Sequence, residues 1–383
     1  MTDLKNDANP TLPPAIHTSI ATIDASAWNG LFGHQPFLSH AWFSALEQSK
    51  SIGGDTGWYP YYLTVGQPMV AATPLFIKTH SFGEFVFDFS WANAYQHHGL
   101  RYYPKAVSAV PFTPVTGKRL AGESIVVKKR LLEGIVDFCT EKNLSSWHAL
   151  FIDEEDRRFL EKEGLLIRKG IQFHWHHAGW KDFDGFLEAF SHDKRKKIKQ
   201  ERRKLKEAGV SFVRKTGADL TEEDWRFFYQ CYEKTYLEHG HWPYLNKKFF
   251  LLLWQGALRH SILLIEAHQH GKPIASAFFT YNEEALFGRY WGSMTFVSGL
   301  HFETCYYQGI EFCLEKGLKY FEAGAQGEHK IARGFSPVET HSAHWIKDLR
   351  FREAISRALT LTEEAEHAYC VNELKERAPY KRN

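Results

Sequence analysis

At 383 residues the chain exceeds what one hydrophobic core usually supports, so two domains are expected. Its 44% hydrophobic and 24% charged residues are a soluble globular composition and exclude a disordered chain. A net charge of +2, from 47 basic and 45 acidic residues, excludes a dedicated nucleic-acid binder by whole-chain charge.

Residues 1–14 carry Asp3, Asp7, Asn9 and three prolines and contain no apolar core, so they read as a disordered lead rather than a signal peptide. No apolar run approaches the roughly 20 residues that span a bilayer. The five cysteines (Cys139, Cys231, Cys305, Cys313 and Cys370) are an odd, scattered set with no CxxC pair. They argue against a disulfide framework or a cysteine zinc site and fit a reducing, cytoplasmic location. An aromatic share of 15% implies either a well-filled core or an aromatic-lined groove.

Helical faces recur along the chain: Trp42, Phe43 and Leu46; Leu131, Leu132, Ile135, Val136 and Cys139; Phe183, Phe186, Leu187 and Phe190; Trp225, Phe228, Tyr229 and Tyr232; and Ile310, Phe312, Cys313 and Leu318. Between them lie two similar hairpins. The first runs Tyr61–Val65, a turn at Gly66-Gln67-Pro68, then Met69–Lys78. The second runs Ser261–Ala267, a turn at His270–Pro273, then Ile274–Tyr281, with a third strand over Ala285–Trp291. Helices followed by antiparallel meanders, twice over, predict an α+β protein of two tandem domains. The expected division is a first domain over 15–165, a second over 166–350, and a C-terminal helix and tail over 351–383.

One strong charge run, Lys194–Lys206, is interrupted only by Ile198 and Leu205, which lie two helical turns apart. It predicts a helix over 192–208 with a thin apolar stripe and a broad basic face. Arg195, Lys196 and Lys199 on that face are candidates for contacts to phosphates, of a tRNA or of a carrier protein's prosthetic group, unless the face is simply solvated.

The segment Phe321–Phe335 interleaves Gly324, Gly327 and Gly334 with Gln326, Glu328, His329, Lys330 and Arg333. Glycines let a backbone approach a ligand, and the polar residues among them can relay a proton or hold an anion. The spacing is neither that of a phosphate-binding P-loop nor the RxxGxG/A pattern of acetyl-CoA transferases. Arg289, at the end of the third strand, and Glu303, at the opening of a helix, have similar character. In the first domain Lys78, Glu84, Tyr103, Lys105 and Arg119 follow strand ends, on loops stiffened by prolines. His174 and His176 share a strand face, but no third ligand accompanies them, so no metal site is expected. No GxSxG nucleophile motif occurs.

The blocks HSFGEFVFD (80–88), YYPK (102–105), PFTPVTGKRL (111–120), QFHW (172–175), FGRYWG (287–292), LHFETCYY (300–307) and GAQGEHKIARGF (324–335) resemble the FemAB-like N-acyltransferases, a group also described by peptidoglycan biosynthesis and recognition. The resemblance implies two GNAT-type acyltransferase domains and a relationship to the Fem enzymes, which pass amino acids from aminoacyl-tRNA to peptidoglycan precursors. It implies transfer of an acyl or aminoacyl group onto an amine, either a small molecule or a cell-wall precursor. The donor would be acyl-CoA, acyl-carrier protein or aminoacyl-tRNA, with no tightly bound cofactor. Fem enzymes often carry a coiled-coil arm, and no heptad pair long enough for one is present here. Direct transfer needs a base for the attacking ammonium and donors for the oxyanion. Glu328 or His329 is the expected base and Glu303 the reserve. Lys330, Arg333, Arg289 and Gln326 are expected to contact the donor, in a pocket at the domain junction. A non-catalytic recognition module is the alternative.

Overall fold

The structure, a computed structural model, describes residues 13–324 and 327–381. The expected disordered lead falls almost wholly outside them, as does Gln326.

The first half runs β1 (Ala15–His17), α1 (Ala25–Phe32), α2 (His40–Gln48), β2 (Trp58–Val65), β3 (Ala71–Lys78), α3 (Phe89–His97), β4 (Lys105–Ser108), β5 (Ala121–Gly122), α4 (Ile125–Glu141), β6 (Ser146–Ile152), α5 (Glu154–Lys162) and β7 (Leu166–His176). The second half runs α6 (Phe183–Glu188), α7 (His192–Glu207), β8 (Val210–Thr216), α8 (Glu222–Glu238), α9 (Lys247–Gln255), β9 (Ile262–Gln269), β10 (Lys272–Tyr281), β11 (Ala285–Ser293), α10 (Leu300–Phe302), α11 (Gln308–Lys316), β12 (Tyr320–Glu322), β13 (Ser336–Ile346) and α12 (Leu349–Arg377).

The two halves repeat one plan, a strand, two helices, an antiparallel meander, then a helix leading to a parallel strand. Strands β1–β4 form the first meander and β8–β11 the second. β6 then adds parallel to β4, and β12 parallel to β11. The hairpins β2–β3 and β9–β10 therefore occupy equivalent places, as their sequence similarity suggests. The architecture is α+β with tandem GNAT-like halves, although the halves do not hold separate sheets. Each half's last strand crosses over: β7 pairs with β12, β13 pairs with β6, and β7 and β13 pair with each other. The exchange covers the exposed edges that β6 and β12 would otherwise present, and it fuses both meanders into one 13-stranded sheet.

Most of the aromatic excess becomes core rather than groove. Trp28, Phe37, Trp42 and Phe43 from the first half pack into one cluster with Trp225, Phe249, Phe250, Phe278 and Phe287 from the second. Across that seam Phe37 meets Phe287 edge-on at 5.4 Å and Trp42 meets Phe249 at 5.1 Å. Edge-to-face pairs at such distances add to the burial of the rings. Cys139, Cys231 and Cys313 are buried thiols. Among the described residues no helix is long and apolar enough to cross a membrane.

Candidate functional site

The two parallel strand pairs diverge after a few residues, and what fills each divergence separates the halves. In the first half the segment after β4 folds back, and Gly117 bridges to Ile152 in β6. Arg119 holds this closure: its side chain donates to the carbonyls of Val115, Lys118 and Leu150, while its main-chain N–H donates to Asp156. It is fully buried, so the expected ligand contact from Arg119 is replaced by a role as loop anchor. A buried guanidinium needs such carbonyls to offset its lost hydration.

In the second half the divergence is lined with ionisable groups. β12 ends at Glu322 while β11 continues to Ser293. Opposite β10, Phe278 pairs with Tyr290 and Phe279 with Gly288, leaving Arg289 as the extra residue of a β-bulge. A bulge re-aims the side chain it carries. Here it turns the Arg289 guanidinium onto the Glu322 carboxylate at 2.6 Å, with both side chains buried. His174, on the neighbouring β7, lies 4.0 Å from the other Glu322 oxygen and shares a hydrogen bond with Gln172. Phe37, from the first half, stacks under Arg289. The site thus lies at the junction of the halves.

The Gly-rich segment supplies the opposite wall as a helical turn, Glu328–Arg333. Lys330 is buried beside this pair and donates to the Gly324 carbonyl. Burial pushes its ammonium down to about 7, and the charge of Arg289 adds to the effect. His329 shares a hydrogen bond with the Tyr306 hydroxyl at 2.9 Å. Tyr306 is presented by a widened turn, Glu303–Tyr307, between α10 and α11. His301 packs against Trp291 nearby with its ring tilted, and burial lowers it to about 4, so it is neutral at physiological pH. Arg333 lies 3.3 Å over the Phe302 ring and donates to the His329 carbonyl. Gly334 closes the turn at φ +91°, where a β-carbon would meet Phe186 at 2.7 Å, so only glycine fits there.

Helix α7 docks on this wall through one of its few acids. Glu201 accepts from Tyr307 at 2.9 Å and faces Arg333 at 3.4 Å. Lys196 and Lys199 are exposed and Arg195 is half-buried on the helix, with Lys199 paired to Asp184. Glu303 is placed elsewhere: buried, gripped by Arg202 and bonded by Gln308, it faces a separate cavity of about 480 Å³ under α7. Burial raises its pKa against the lowering effect of Arg202.

The remaining first-half candidates form a second cluster, remote in sequence from the first. Lys105 is completely buried and donates to Ser81, Glu84 and Asp88. Tyr103 shares a hydrogen bond with Ser81. Lys78 lies 3.7 Å over the Trp58 ring, and burial lowers its ammonium to about 7. Among the described residues no group of three metal-binding side chains converges.

Sequence reasoning did not select Glu322, Glu201 or Tyr306, and it weighed His174 only as a metal ligand. Glu322 carries one legible signal, an acid directly after the aromatic pair Tyr320-Phe321. The others come together only through sheet and helix packing.

No curated protein matches the sequence. Among solved structures the chain is similar to FemX, with a TM-score of 0.54 at 11% identity over 90% of this chain and 99% of that one. It is also similar to the C-terminal domain of a putative lysylphosphatidylglycerol synthetase from Agrobacterium fabrum, at 0.51 and 11% over 90% and 98%. A tandem GNAT protein from the clavulanic acid biosynthesis pathway follows at 0.43 and 11%, over 88% and 98%. At 11% identity the first two likenesses speak to fold alone. The family model described by peptidoglycan biosynthesis and recognition matches residues 19–382, and the chain belongs to this FemAB-like family.

Proposed function

We propose that the protein is a transferase that moves an acyl or aminoacyl group from an activated donor onto the amine of a peptidoglycan precursor or a related small molecule. One observation carries the reading. At the divergence of β11 and β12, a bulge sets Arg289 against Glu322, beside a buried Lys330 and the His329–Tyr306 pair. On this reading the chain divides into domains over 15–165 and 166–350, and only the second keeps a working cleft.

The acceptor amine attacks the donor carbonyl, a C–N bond forms, and the C–O bond of a tRNA ester or the C–S bond of a thioester breaks. His329, oriented by Tyr306, takes the proton of the attacking ammonium and passes it to the leaving oxygen or sulfur as that departs. Glu328, next to it on the same turn, is the alternative base. Lys330 and Arg289 stabilise the negative charge that develops on the carbonyl oxygen, and Arg333 holds the donor's anionic portion. The basic face of α7, fastened to this wall by Glu201, suits a donor rich in phosphates, and among the three candidate donors it favours aminoacyl-tRNA.

Incubation of the purified protein with a peptidoglycan precursor and, separately, an aminoacyl-tRNA, an acyl-CoA and an acyl-carrier protein tests the reading by product mass. One donor is expected to give an amide product, and His329→Ala to slow it by roughly 10²–10⁴-fold. No product with any of them, or undiminished product with His329→Ala, counts against it.

A further inference from the structure

A cavity of about 210 Å³ opens on the first half, where the exchanged strands β7 and β13 meet the loop after β3. Its floor is the face shared by Arg168, Gly170 and Gln172 on β7 with Ser342 and Thr340 on β13, which pair across as Arg168 with Ser342 and Gly170 with Thr340. Phe85, Phe87 and Phe151 form the opposite wall. Three features set the cavity apart from an ordinary surface dent.

First, Arg168 is the one charged side chain on the floor's face and no carboxylate lines the cavity, since Lys169 and His341 alternate to the other face of the sheet. A guanidinium facing a cavity with no carboxylate favours an anion. Arg168 lies 5.8 Å over the Trp91 ring and donates to the Phe87 carbonyl, one hydrogen bond from a group that carries five N–H donors. Second, the floor is kept open by a glycine, since a β-carbon on Gly170 would stand 3.1 Å from the Thr340 hydroxyl oxygen. Third, two of the wall residues hold left-handed backbone, Phe85 at φ 61° and Phe151 at φ 54°. That conformation costs a bulky residue of order 1–3 kcal/mol and persists where surroundings enforce it, commonly at binding sites.

The cavity is distinct from the Arg289–Glu322 centre. Gln172 lies between them on β7, donating to the Pro114 carbonyl and sharing a hydrogen bond with His174. We infer that this cavity is a second binding site, for a small anion such as a carboxylate or phosphate monoester. In it the guanidinium of Arg168 and the hydroxyls of Thr340 and Ser342 hold the charged group, and the phenyl rings cover an apolar remainder. The inference does not depend on the transfer reaction.

The test is NMR titration of the full chain with inorganic phosphate and, separately, acetate, with the two arms separating phosphate from carboxylate. At least one anion is expected to shift signals of β7 and β13 saturably. Arg168→Gln should weaken that binding at least about tenfold, the usual loss for a hydrogen bond to a charged group. Thr340→Val, which keeps the shape of the strand, should weaken it severalfold and decides the matter if Arg168→Gln does not fold. Saturable binding of neither anion to the wild-type chain, or unaltered affinity in Thr340→Val and in any folded Arg168→Gln, overturns the inference.

Discussion

Arg289 and Glu322 face each other at 2.6 Å across two diverging parallel strands, with 1% and 2% of their side chains exposed. Burying both charges is costly, and only the bulge in β11 brings them close enough for the attraction to offset that cost. Removing one partner leaves the other charge stranded. Glu322→Ala should therefore cost about 3–5 kcal/mol of stability by denaturant unfolding. The double variant Arg289→Met/Glu322→Leu should recover much of that stability without recovering turnover. A stable double variant with wild-type turnover would assign the pair a purely structural role.

The depressed ammonium of Lys330 makes stability depend on pH in a stated direction. Its folded value is about 7 against an ordinary 10.5, so between those values the unfolded chain binds a proton that the folded chain lacks. Stability contributed by this group is then present above about pH 10.5 and lost as pH falls towards 7. Lys78 contributes in the same window. Melting temperatures of Lys330→Met from pH 7 to 10 should rise less with pH than those of the wild type, with the share of Lys78 remaining. An identical slope in both proteins contradicts the assignment.

Helix α7 offers a test of donor binding that spares the fold. Lys196 and Lys199 are exposed, and the Lys199–Asp184 pair stands in solvent, where such pairs contribute roughly 0–1 kcal/mol. Changing Arg195, Lys196 and Lys199 together to Glu should move the melting temperature little. It should weaken donor binding and flatten its dependence on salt, as read by titrations at two ionic strengths. Donor affinity equal to that of the wild type would make this a solvated face.

Glu303 should behave as a structural carboxylate. Arg202 contacts it through two nitrogens, and Gln308 donates to it. Glu303→Gln should lower stability by roughly 1–3 kcal/mol, because a charged hydrogen-bonded partner is lost from a buried site. Its turnover, measured below the new melting temperature, should stay within about threefold of the wild type. A loss of rate at unchanged stability would return Glu303 to the reaction.

By itself the sequence determined whatever depends on local patterning. Strand alternation and turn residues mark both hairpins, the apolar spacing marks the faces of α2, α4, α8 and α11, and the charge run marks α7, because these signals act over a few neighbouring residues. The same local reading singled out the Gly-rich turn carrying His329 and Lys330. Tertiary structure alone decided the rest. The exchange of β7 and β13 turned two expected sheets into one, since pairing of residues far apart in sequence leaves no periodic trace. The bulge at Arg289 chose Glu322 as its partner, and packing of the widened turn brought Tyr306 to His329. Arg119 and Arg289 look alike as sequence, each following a glycine within two residues. Burial among main-chain carbonyls made the first a loop anchor, and the divergence of two strands gave the second a buried carboxylate partner.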